Sequence, residues 1–544
     1  MLAETLLGII FPWTTTGILF LFVVLNLLFL PRFVKHLLKT PKIILLIAIA
    51  AIAGGVYLRF AFVPNQHRIF YDEDRYLGYS VSFARLNQAV SVEAATPEKS
   101  VIGKPDQAVR VTVPALHGWI LKLFGYQESN LFNASRVVSV LLAIYLSVLS
   151  YMLFRSYLGS LLTLVGMLYL PILVYWSASM ALDPYFVFFT VTSFVSLALY
   201  LKGPSFTYAL FVTTSVFLLL CVRIEAFILL PLFLYFAMGY RKSRGEILFQ
   251  SHDKQLLIMM IPLILARGIA SLSVLGEKWC CADSLPLESF SAKYITRNTL
   301  PNLMYLVTGF EFPYVLSLPA LWLGLTSKSI SHRLQLFWIV SFFLLYSFYY
   351  AGLFVTAEFS GSYGRYFLIL IPPLILLYSD CIASYIVPNI HKAKRYVAGF
   401  ILLVALTTVQ LGSNFWHYKD LVIYAPTMFN AVDQGPVYVH AYLEQIFLPA
   451  IPKDAVVIHP ITAIPLLHGH PTVYYQYFLE DDTTIEFVKN QLKSGRRVFT
   501  MNAFECKAIP HKCRKIEKLF AAKHSDLNKA ETSNIFQIYE VFLK

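Results

Sequence analysis

Residues 43–63 read IILLIAIAAIAGGVYLRFAFV, and this run decides the class of the fold. Arg59 is its one charged residue, and its length matches the roughly 20 residues that an α-helix needs to cross a hydrocarbon core of about 30 Å. Similar apolar runs recur at 17–30, 137–154 and 396–411. Backbone groups inside a bilayer must hydrogen-bond within their own segment, so each run predicts a membrane-spanning helix.

The composition of the whole chain agrees with this interpretation. Of the 544 residues, 57% are hydrophobic, 16% are aromatic and only 14% are charged. Such a chain has too few polar side chains to coat a soluble protein of this length. We therefore predict a polytopic α-helical membrane protein.

We predict about twelve spanning helices from the length and spacing of the apolar runs. The first run lacks a basic start and a small-residue cleavage site, so we expect a retained helix and no signal peptide. The predicted spans are 8–30, 43–63, 134–154, 160–178, 185–201, 206–222, 226–240, 255–275, 312–326, 334–355, 366–387 and 396–413.

Lys and Arg are concentrated in alternate loops between these spans. Short loops rich in Lys and Arg face the cytoplasm, so both termini are expected outside it. The net charge of +13 then reflects topology, and we expect no nucleic-acid partner. We expect the plasma membrane of a prokaryote in preference to the endoplasmic reticulum. The six basic loops lie at 32–42, 155, 202, 241–254, 328–333 and 392–395.

The chain divides into two predicted parts. Residues 1–413 form the transmembrane module, and its first exterior loop, 64–133, contains two amphipathic stretches at 76–87 and 114–124 that are typical of helices lying on a membrane surface. Residues 414–544 have a mixed composition and predict a small extracytoplasmic α/β domain. Its β-like runs lie at 455–459, 473–477, 498–501 and 535–542, with an amphipathic helix at 483–493.

The cysteines and histidines give weaker signals. Cys506 and Cys513 fall outside the predicted membrane module, and we expect a disulfide there, with two free thiols as the alternative. His459, His468 and His470 match no metal-ligand spacing, so we interpret them as turn and surface residues. The sequence therefore predicts no metal site.

The stretch 71–76 reads YDEDRY and follows the second predicted span by about ten residues. A carboxylate pair beside apolar surface can have a raised pKa and act as a general base toward a hydroxyl. Asp72 and Glu73 are the candidate pair. The alternative is that these acidic residues are simply solvated in a loop.

These residues resemble a known family. Asp72-Glu73 followed by Arg75-Tyr76 is similar to the Asp-Glu-x-Arg-Tyr signature of the family containing protein O-mannosyltransferases and lipid A aminoarabinose transferases. The segment 114–125, PALHGWILKLFG, is similar to the family's Pro-Leu-x-x-Trp segment. Further matching segments follow in the family's order, at 133–159, 178–183, 223–225 and 364–373.

The resemblance implies a GT-C fold and transfer of a monosaccharide from a polyprenyl phosphate carrier. By that resemblance, Asp72 deprotonates the acceptor hydroxyl and Glu73 orients it or shares the task. Arg75 and Arg365 hold the phosphate of the carrier, since a guanidinium pairs bidentately with phosphate oxygens. Attack opposite the departing phosphate inverts the anomeric centre.

The same resemblance adds supporting residues. Tyr76 and Tyr366 belong to the matched Arg-Tyr pairs, and Asp183 occupies the family's second acidic position or acts as a helix-start residue before Pro184.

One position departs from the family, because Val113 stands where a phosphate-binding Lys is common. Lys104 or Arg110 is expected to replace that Lys. Arg267 interrupts the predicted span 255–275, and either a lipid phosphate or snorkelling to the outer interface would satisfy it.

Two other functions remain open from the sequence. A lipid-linked sugar flippase or another secondary transporter would also need many helices with intramembrane charges, although we see no internal repeat. An oligosaccharyltransferase is disfavoured because the tail lacks a Trp-Trp-Asp motif. The sugar, the acceptor (protein, glycan or lipid) and any use of a divalent cation are left open.

Overall fold

The computed structural model is mostly helical. It gives six helices, within the residues it describes, that are long and apolar enough to cross a membrane, and a seventh span if one bent pair is counted. The predicted number of twelve is therefore not confirmed. The described residues are 10–37, 40–65, 67, 70–96, 101–103, 110–247, 250–272, 290–308, 321–349, 365–387, 442–501, 516–525, 527 and 538–544.

The helices up to residue 272 overlap the predicted spans, except α3 and α4, which belong to the first exterior loop. They are α1 (Phe11–Leu37), α2 (Lys42–Ala61), α3 (Phe70–Leu86), α4 (Thr112–Phe124), α5 (Glu128–Phe154), α6 (Tyr157–Tyr169), α7 (Pro171–Tyr175), α8 (Leu182–Lys202), α9 (Phe206–Leu220), α10 (Leu229–Ser243) and α11 (Ser251–Leu272).

The later helices include three within the predicted membrane module, residues 1–413, and four in the C-terminal part. They are α12 (Ile295–Thr308), α13 (Ile330–Phe348), α14 (Ile371–Asp380), α15 (Leu448–Ala450), α16 (Ala463–Leu467), α17 (Tyr475–Glu480) and α18 (Asp482–Lys493). The predicted span 396–413 and the Cys506–Cys513 pair lie outside the described residues.

The predicted single span 160–178 is a bent pair in the structure. Helix α6 stops at Tyr169 and α7 starts at Pro171, with a bend of 55° between them. A proline has no N–H to donate and disfavours helical geometry at the preceding residue, here Leu170. The Arg59 guanidinium donates to the Met167 and Leu168 carbonyls, so the broken end is hydrogen-bonded.

Helix α8 lies at the centre of the membrane module. Its apolar window is 94% buried, and it packs against α5, α9 and α10. Helices α5 and α8 start at one face of the module, near Glu128 and Asp183, and end at the other face, near Arg155 and Lys202. Those two cations line one cavity of about 520 Å³ together with Arg244 and Lys328. Four of the predicted cytoplasmic loops thus meet on one face.

The first exterior loop folds as two helices and two short strands. Helix α3 begins at Phe70, six residues before the predicted amphipathic stretch, so Asp72 and Glu73 lie in a first helical turn and not in a loop. Helix α4 crosses α3 at Gly118, where a Cβ atom would lie 3.1 Å from the Ala84 nitrogen. The absent side chain lets the two backbones approach closely.

A seven-stranded sheet joins this loop to the C-terminal domain. Among the described strands the order is β2-β1-β4-β3-β5-β7-β6, and of these only the β3–β4 and β3–β5 pairs are parallel. Strands β1 and β2 come from the first exterior loop. The sequence had not suggested that this loop contributes strands to the sheet. The predicted amphipathic helix appears as α18. The strands are β1 (Ala94–Ala95), β2 (Val101–Ile102), β3 (Val456–His459), β4 (Thr472–Tyr474), β5 (Val498–Thr500), β6 (Phe520–His524) and β7 (Tyr539–Leu543).

Candidate active site

Asp72 and Arg365 meet although 293 positions separate them in the chain. The Arg365 Nη1 donates to Asp72 Oδ2 at 2.8 Å. Asp72 is held by the first turn of α3, and Arg365 begins the 3₁₀ turn Arg365–Leu370 that leads into α14. The carboxylate side chain is 38% exposed, whereas the arginine side chain is 13% exposed. The solvent-accessible Asp72 carboxylate is therefore paired with a nearly buried cation, Arg365.

Arg365 has further donors that are partly unused. Its Nη2 donates to the Tyr366 hydroxyl at 2.5 Å, and its guanidinium lies 4.6 Å from the centre of the Tyr366 ring. Its Nε is buried and has no hydrogen-bond acceptor among the described residues. A buried, unpaired donor beside an accessible carboxylate favours an anionic ligand at this point.

The pKa of Asp72 differs from the expectation of a raised value. Burial alone would raise it, but Arg365 and, to a lesser extent, Arg110 and Arg75 lower the pKa of Asp72 below its ordinary value. The carboxylate is thus ionised at neutral pH and can accept a proton. Its environment makes it a weaker base than the sequence interpretation assumed.

A second ion-pair group adjoins Arg365. Arg223 donates through Nη1 to Asp183 and through Nη2 to Glu225 Oε1 at 3.0 Å. The Arg223 guanidinium lies 5.3 Å from the centre of the Tyr366 ring, so two arginines contact one phenol. Asp183 is in the first turn of α8 and Glu225 follows the end of α9. Asp183 is therefore held by an arginine at the site.

Arg75, Arg110 and Tyr76 complete the group around Asp72. The Arg75 Nε donates to the Tyr79 hydroxyl at 2.7 Å, and Arg110 Nη1 donates to the Tyr76 hydroxyl at 3.3 Å. Burial and Asp72 raise the pKa of Tyr76, while Arg110, Arg365 and Arg223 oppose that change. Of the two replacements considered for the missing Lys, Arg110 is therefore at the site. Lys104 lies outside the described residues.

We call this group the arginine cluster. It holds four arginines and three carboxylates, contributed by α3, α8 and three connecting segments. Its members are Asp72, Arg75, Arg110, Asp183, Arg223, Glu225 and Arg365.

Arg267 has a different position from the one expected. It is fully buried, and its Nε donates at 3.0 Å to the Leu220 carbonyl at the end of α9. That carbonyl belongs to the set a helix leaves without internal partners at its C-terminus. Because Arg223 follows three residues later, Arg267 braces the turn that presents Arg223. At least one donor of Arg267 is thus used by a helix end, and its side chain is buried inside the protein.

Glu73 faces away from the arginine cluster toward a different group. It is fully buried, its Oε2 lies 3.0 Å from His67 Nδ1, and it accepts a hydrogen bond from the Ser179 hydroxyl. Consecutive helical residues point about 100° apart, so Asp72 and Glu73 cannot share one face. The expectation that Glu73 orients Asp72 or acts beside it has no support in this geometry.

His67 also contacts two further carboxylates. Its Nε2 lies 2.6 Å from Glu128 Oε1 and 4.0 Å from Glu444 Oε1. Burial opposes protonation, but Glu128 and Glu73 raise the pKa of His67 well above its ordinary value. Burial and the Glu128 charge raise the pKa of Glu444 to about 7. We call His67, Glu73, Glu128 and Glu444 the histidine cluster.

Asp74, the next residue of α3, ties the membrane module to the C-terminal domain. Its two carboxylate oxygens accept hydrogen bonds from the backbone N–H groups of Thr462 at 3.1 Å and Ala463 at 3.0 Å, at the start of α16. Burial raises the pKa of Asp74 to about 7 although both bonds oppose the rise. Three consecutive acidic residues therefore have three different roles in the structure.

The structure thus brings together most of the residues that the sequence singled out. Asp72, Arg75, Tyr76, Asp183, Arg365 and Tyr366 converge, whereas Glu73 and Arg267 lie elsewhere. Sequence reasoning missed His67, Glu128 and Glu444. Each is an isolated residue in its segment, and no spacing pattern connects them.

Comparison with known proteins gives a match in structure only. No protein-family model and no curated protein matches the sequence. ArnT from Cupriavidus metallidurans is similar at 12% identity, with TM-scores of 0.52 in its apo state and 0.51 bound to undecaprenyl phosphate. Each comparison covers 91% of this chain and 97% of the ArnT chain.

An oligosaccharyltransferase from Archaeoglobus fulgidus, in the apo form, is similar at 13% identity over 86% of this chain and 70% of that chain. Its TM-score of 0.47 is too low to support an argument. ArnT has the GT-C fold. The fold class expected from the resemblance is therefore confirmed: this chain is a multi-pass membrane protein with a GT-C-like fold and a small C-terminal α/β domain.

Proposed function

We propose that this chain is a membrane glycosyltransferase that moves a monosaccharide from a polyprenyl phosphate carrier to an extracytoplasmic acceptor. One observation carries the proposal: an accessible carboxylate, Asp72, is paired with a nearly buried arginine inside a cluster rich in arginines. The fold shared with ArnT, which has been crystallised with undecaprenyl phosphate, supports a lipid phosphate as the donor.

The arginine cluster provides the binding site for the donor phosphate in this proposal. Arg365 offers its unpaired Nε, and Arg110 and Arg75 add positive charge around Asp72. Arg223 is already paired with Asp183 and Glu225, so it positions Tyr366 and Arg365 without needing to bind the ligand. Fixed cations around the leaving phosphate stabilise the charge that develops as the sugar departs.

Asp72 acts as the general base. It accepts the proton of the acceptor hydroxyl while the hydroxyl oxygen forms a bond to the anomeric carbon. The bond between that carbon and the phosphate oxygen breaks, and its electron pair leaves with the lipid phosphate. Attack from the side opposite the phosphate inverts the anomeric centre. Because the pKa of Asp72 is lowered, the base is already ionised when the acceptor arrives.

The location of the site follows from the basic loops. Arg155, Lys202, Arg244 and Lys328 gather at the end of the module opposite to Asp183. With those loops in the cytoplasm, the arginine cluster and the α/β domain lie outside it. We propose the plasma membrane of a prokaryote as the location. Asp74 fixes the domain to α3, and this contact supports the proposal that the domain covers the site or recognises the acceptor.

Transfer of label from a panel of radiolabelled polyprenyl phosphate sugars tests the proposal. The purified chain in lipid is incubated with each donor and a pool of protein, glycan and lipid acceptors. We expect a labelled product with the wild type and about 10²–10⁴-fold slower labelling with Asp72→Asn. Asp482→Asn makes the same chemical change on the exposed start of α18 and should transfer normally.

Two outcomes would contradict the proposal. Full transfer by Asp72→Asn would remove Asp72 from the reaction. No transfer from any donor, combined with movement of labelled lipid across sealed vesicles, would instead favour the transporter alternative.

A further inference from the structure

The histidine cluster has the composition and geometry of a metal site. His67 is 2% exposed, Glu128 is 13% exposed and Glu444 is 31% exposed, so the group is enclosed but open on one side. Nε2 of His67 and one carboxylate oxygen from each glutamate all lie within 4.8 Å of one another. The three donors come from the segment before α3, the first turn of α5 and the turn Leu443–Phe447.

The geometry needs little adjustment to hold a metal ion. Nitrogen and oxygen ligands of zinc lie at about 2.0–2.2 Å from the ion, which places tetrahedral donor atoms roughly 3.3 Å apart. The observed separations of His67 Nε2 from the two carboxylates, 2.6 Å and 4.0 Å, lie on either side of that value. Small side-chain rotations of Glu128 and Glu444 would equalise them.

Glu73 supplies the outer partner that a ligating histidine usually has. It lies 3.0 Å from His67 Nδ1 and is fully buried. When Nδ1 donates its proton to this carboxylate, the Nε2 lone pair is directed at Glu128 and Glu444. A carboxylate on the far nitrogen of the imidazole fixes the tautomer and raises the basicity of the ligand.

The charge of the histidine cluster also favours a bound metal ion. Glu73, Glu128 and Glu444 surround one imidazole, and Asp74 lies close enough to feel the charge of Glu128 and His67. Among the residues that the structure describes, these carboxylates outnumber the one imidazole they contact, and a divalent cation would balance more of their charge than a proton does. Imidazole with carboxylates suits zinc, since magnesium prefers oxygen ligands alone.

We propose that His67, Glu128 and Glu444 bind one zinc ion, with Glu73 as the outer partner of His67. The ion joins the first exterior loop and the membrane helix α5 to the C-terminal part of the chain. It lies on a different face of α3 from Asp72, so its role is structural. The inference is independent of the proposed transferase activity, because binding is measured without turnover.

Metal analysis of the full chain in lipid tests the site. The chain is stripped with a chelator, loaded with zinc and dialysed against metal-free buffer before its zinc content is measured. We expect one zinc per chain in the wild type and none in His67→Ala. His468→Ala is the matched control, because His468 belongs to the C-terminal domain and should leave the zinc content unchanged. No retained zinc in the wild type, or equal retention in His67→Ala, would overturn the proposal.

Two further measurements cover the case in which His67→Ala fails to fold. Glu444→Gln is a near-isosteric change at the most exposed ligand, and it should abolish the rise in Tm that zinc gives the wild type. Glu73→Gln should weaken zinc binding by about 10–100-fold, the usual effect of removing an outer partner. A zinc-dependent Tm that is identical in wild type and Glu444→Gln would exclude Glu444 as a ligand.

X-ray absorption of the zinc-loaded chain distinguishes this site from the six cysteines. We expect only nitrogen and oxygen neighbours, at about 2.0–2.2 Å. A sulfur shell at about 2.3 Å would assign the metal to cysteines and overturn the proposal.

Discussion

The arginine cluster and the histidine cluster occupy two faces of the same helix, α3, and they differ in the sign of their charge. Around Asp72 the partners are arginines, and the carboxylate is 38% exposed. Around Glu73, one residue later, the partners are His67 and, through it, two more glutamates, and Glu73 itself is fully buried. The first environment suits an anionic ligand and the second suits a cation.

The difference shows how one helical turn can separate two tasks. A rotation of about 100° per residue sends Asp72 toward the segment that starts at Arg365 and Glu73 toward His67. Gly118 keeps α4 close behind α3, so neither face can rotate freely. Substitutions on the two faces should therefore affect different measurable properties.

The largest expected contrast in transfer rate and stability is between Asp72→Asn and Glu73→Gln. Asp72→Asn should lower the transfer rate by about 10²–10⁴-fold, the usual contribution of a general base, and leave Tm nearly unchanged. Glu73→Gln should change the rate by less than about tenfold but destabilise the fold by about 1–3 kcal/mol, because a buried hydrogen-bond network loses its charge. Initial rates and thermal unfolding of both variants check this. If Glu73→Gln lowers the transfer rate as much as Asp72→Asn does, both carboxylates act in one site.

Arg365→Gln is expected to have the next largest effect. It removes the partner of Asp72 and the unpaired Nε proposed for the donor phosphate. Removing one such stabilising donor typically lowers kcat by about 10²–10³-fold. Arg497→Gln is the control, since Arg497 pairs with Glu540 on the sheet. Steady-state kinetics measure both variants, and wild-type kcat in Arg365→Gln would remove this arginine from the reaction.

Membrane helices and the motif residues were predictable because their signals are local. An apolar run of sufficient length predicts a helix by itself, and the ends of α2 and α8 lie within a few residues of the predicted spans. Asp72, Asp183 and Arg365 were found through short segments in a family's order. Their meeting across 293 residues is a property of the fold that no local pattern contains.

The direction of Glu73 could not be predicted because it depends on where α3 begins. With the helix expected from residue 76, the two adjacent carboxylates were expected to act at one site. With a start at Phe70 they point in different directions. Strands β1 and β2 have two residues each, too few to show alternation. His67, Glu128 and Glu444 are connected only by tertiary contacts, so the sequence predicted no metal site.

Arg110→Gln should change the pH dependence of the transfer rate. The Arg110 charge helps to lower the pKa of Asp72, so its removal should raise that pKa. A base with a higher pKa becomes protonated at higher pH. As the pH is lowered, the activity of Arg110→Gln should therefore start to fall at a higher pH than that of the wild type. The transfer rate measured from pH 8 downward checks this. If the fall in transfer rate at acidic pH is the same in both chains, then Arg110 does not affect the pKa of Asp72 or Asp72 does not act as the base.

The smallest effect on the transfer rate is expected at Asp74, where the two halves of the molecule join. Its pKa is raised to about 7 in the folded chain, against 3.8 as its ordinary value. Between these values the folded state keeps a proton that the unfolded state has lost, so its stabilising contribution is present below about pH 4 and disappears as the pH rises through 7. Asp74→Asn cannot titrate, and the wild type should lose stability relative to this variant between about pH 4 and pH 7.

Thermal unfolding of both chains across that pH range measures the difference directly, since every other titrating group is common to the two. Transfer activity should remain in Asp74→Asn, because Asp74 contacts the start of α16 and not the arginine cluster. A difference in Tm that does not change with pH would show that Asp74 is already ionised in the folded chain. The backbone N–H groups of Thr462 and Ala463 would then outweigh the cost of burying its charge.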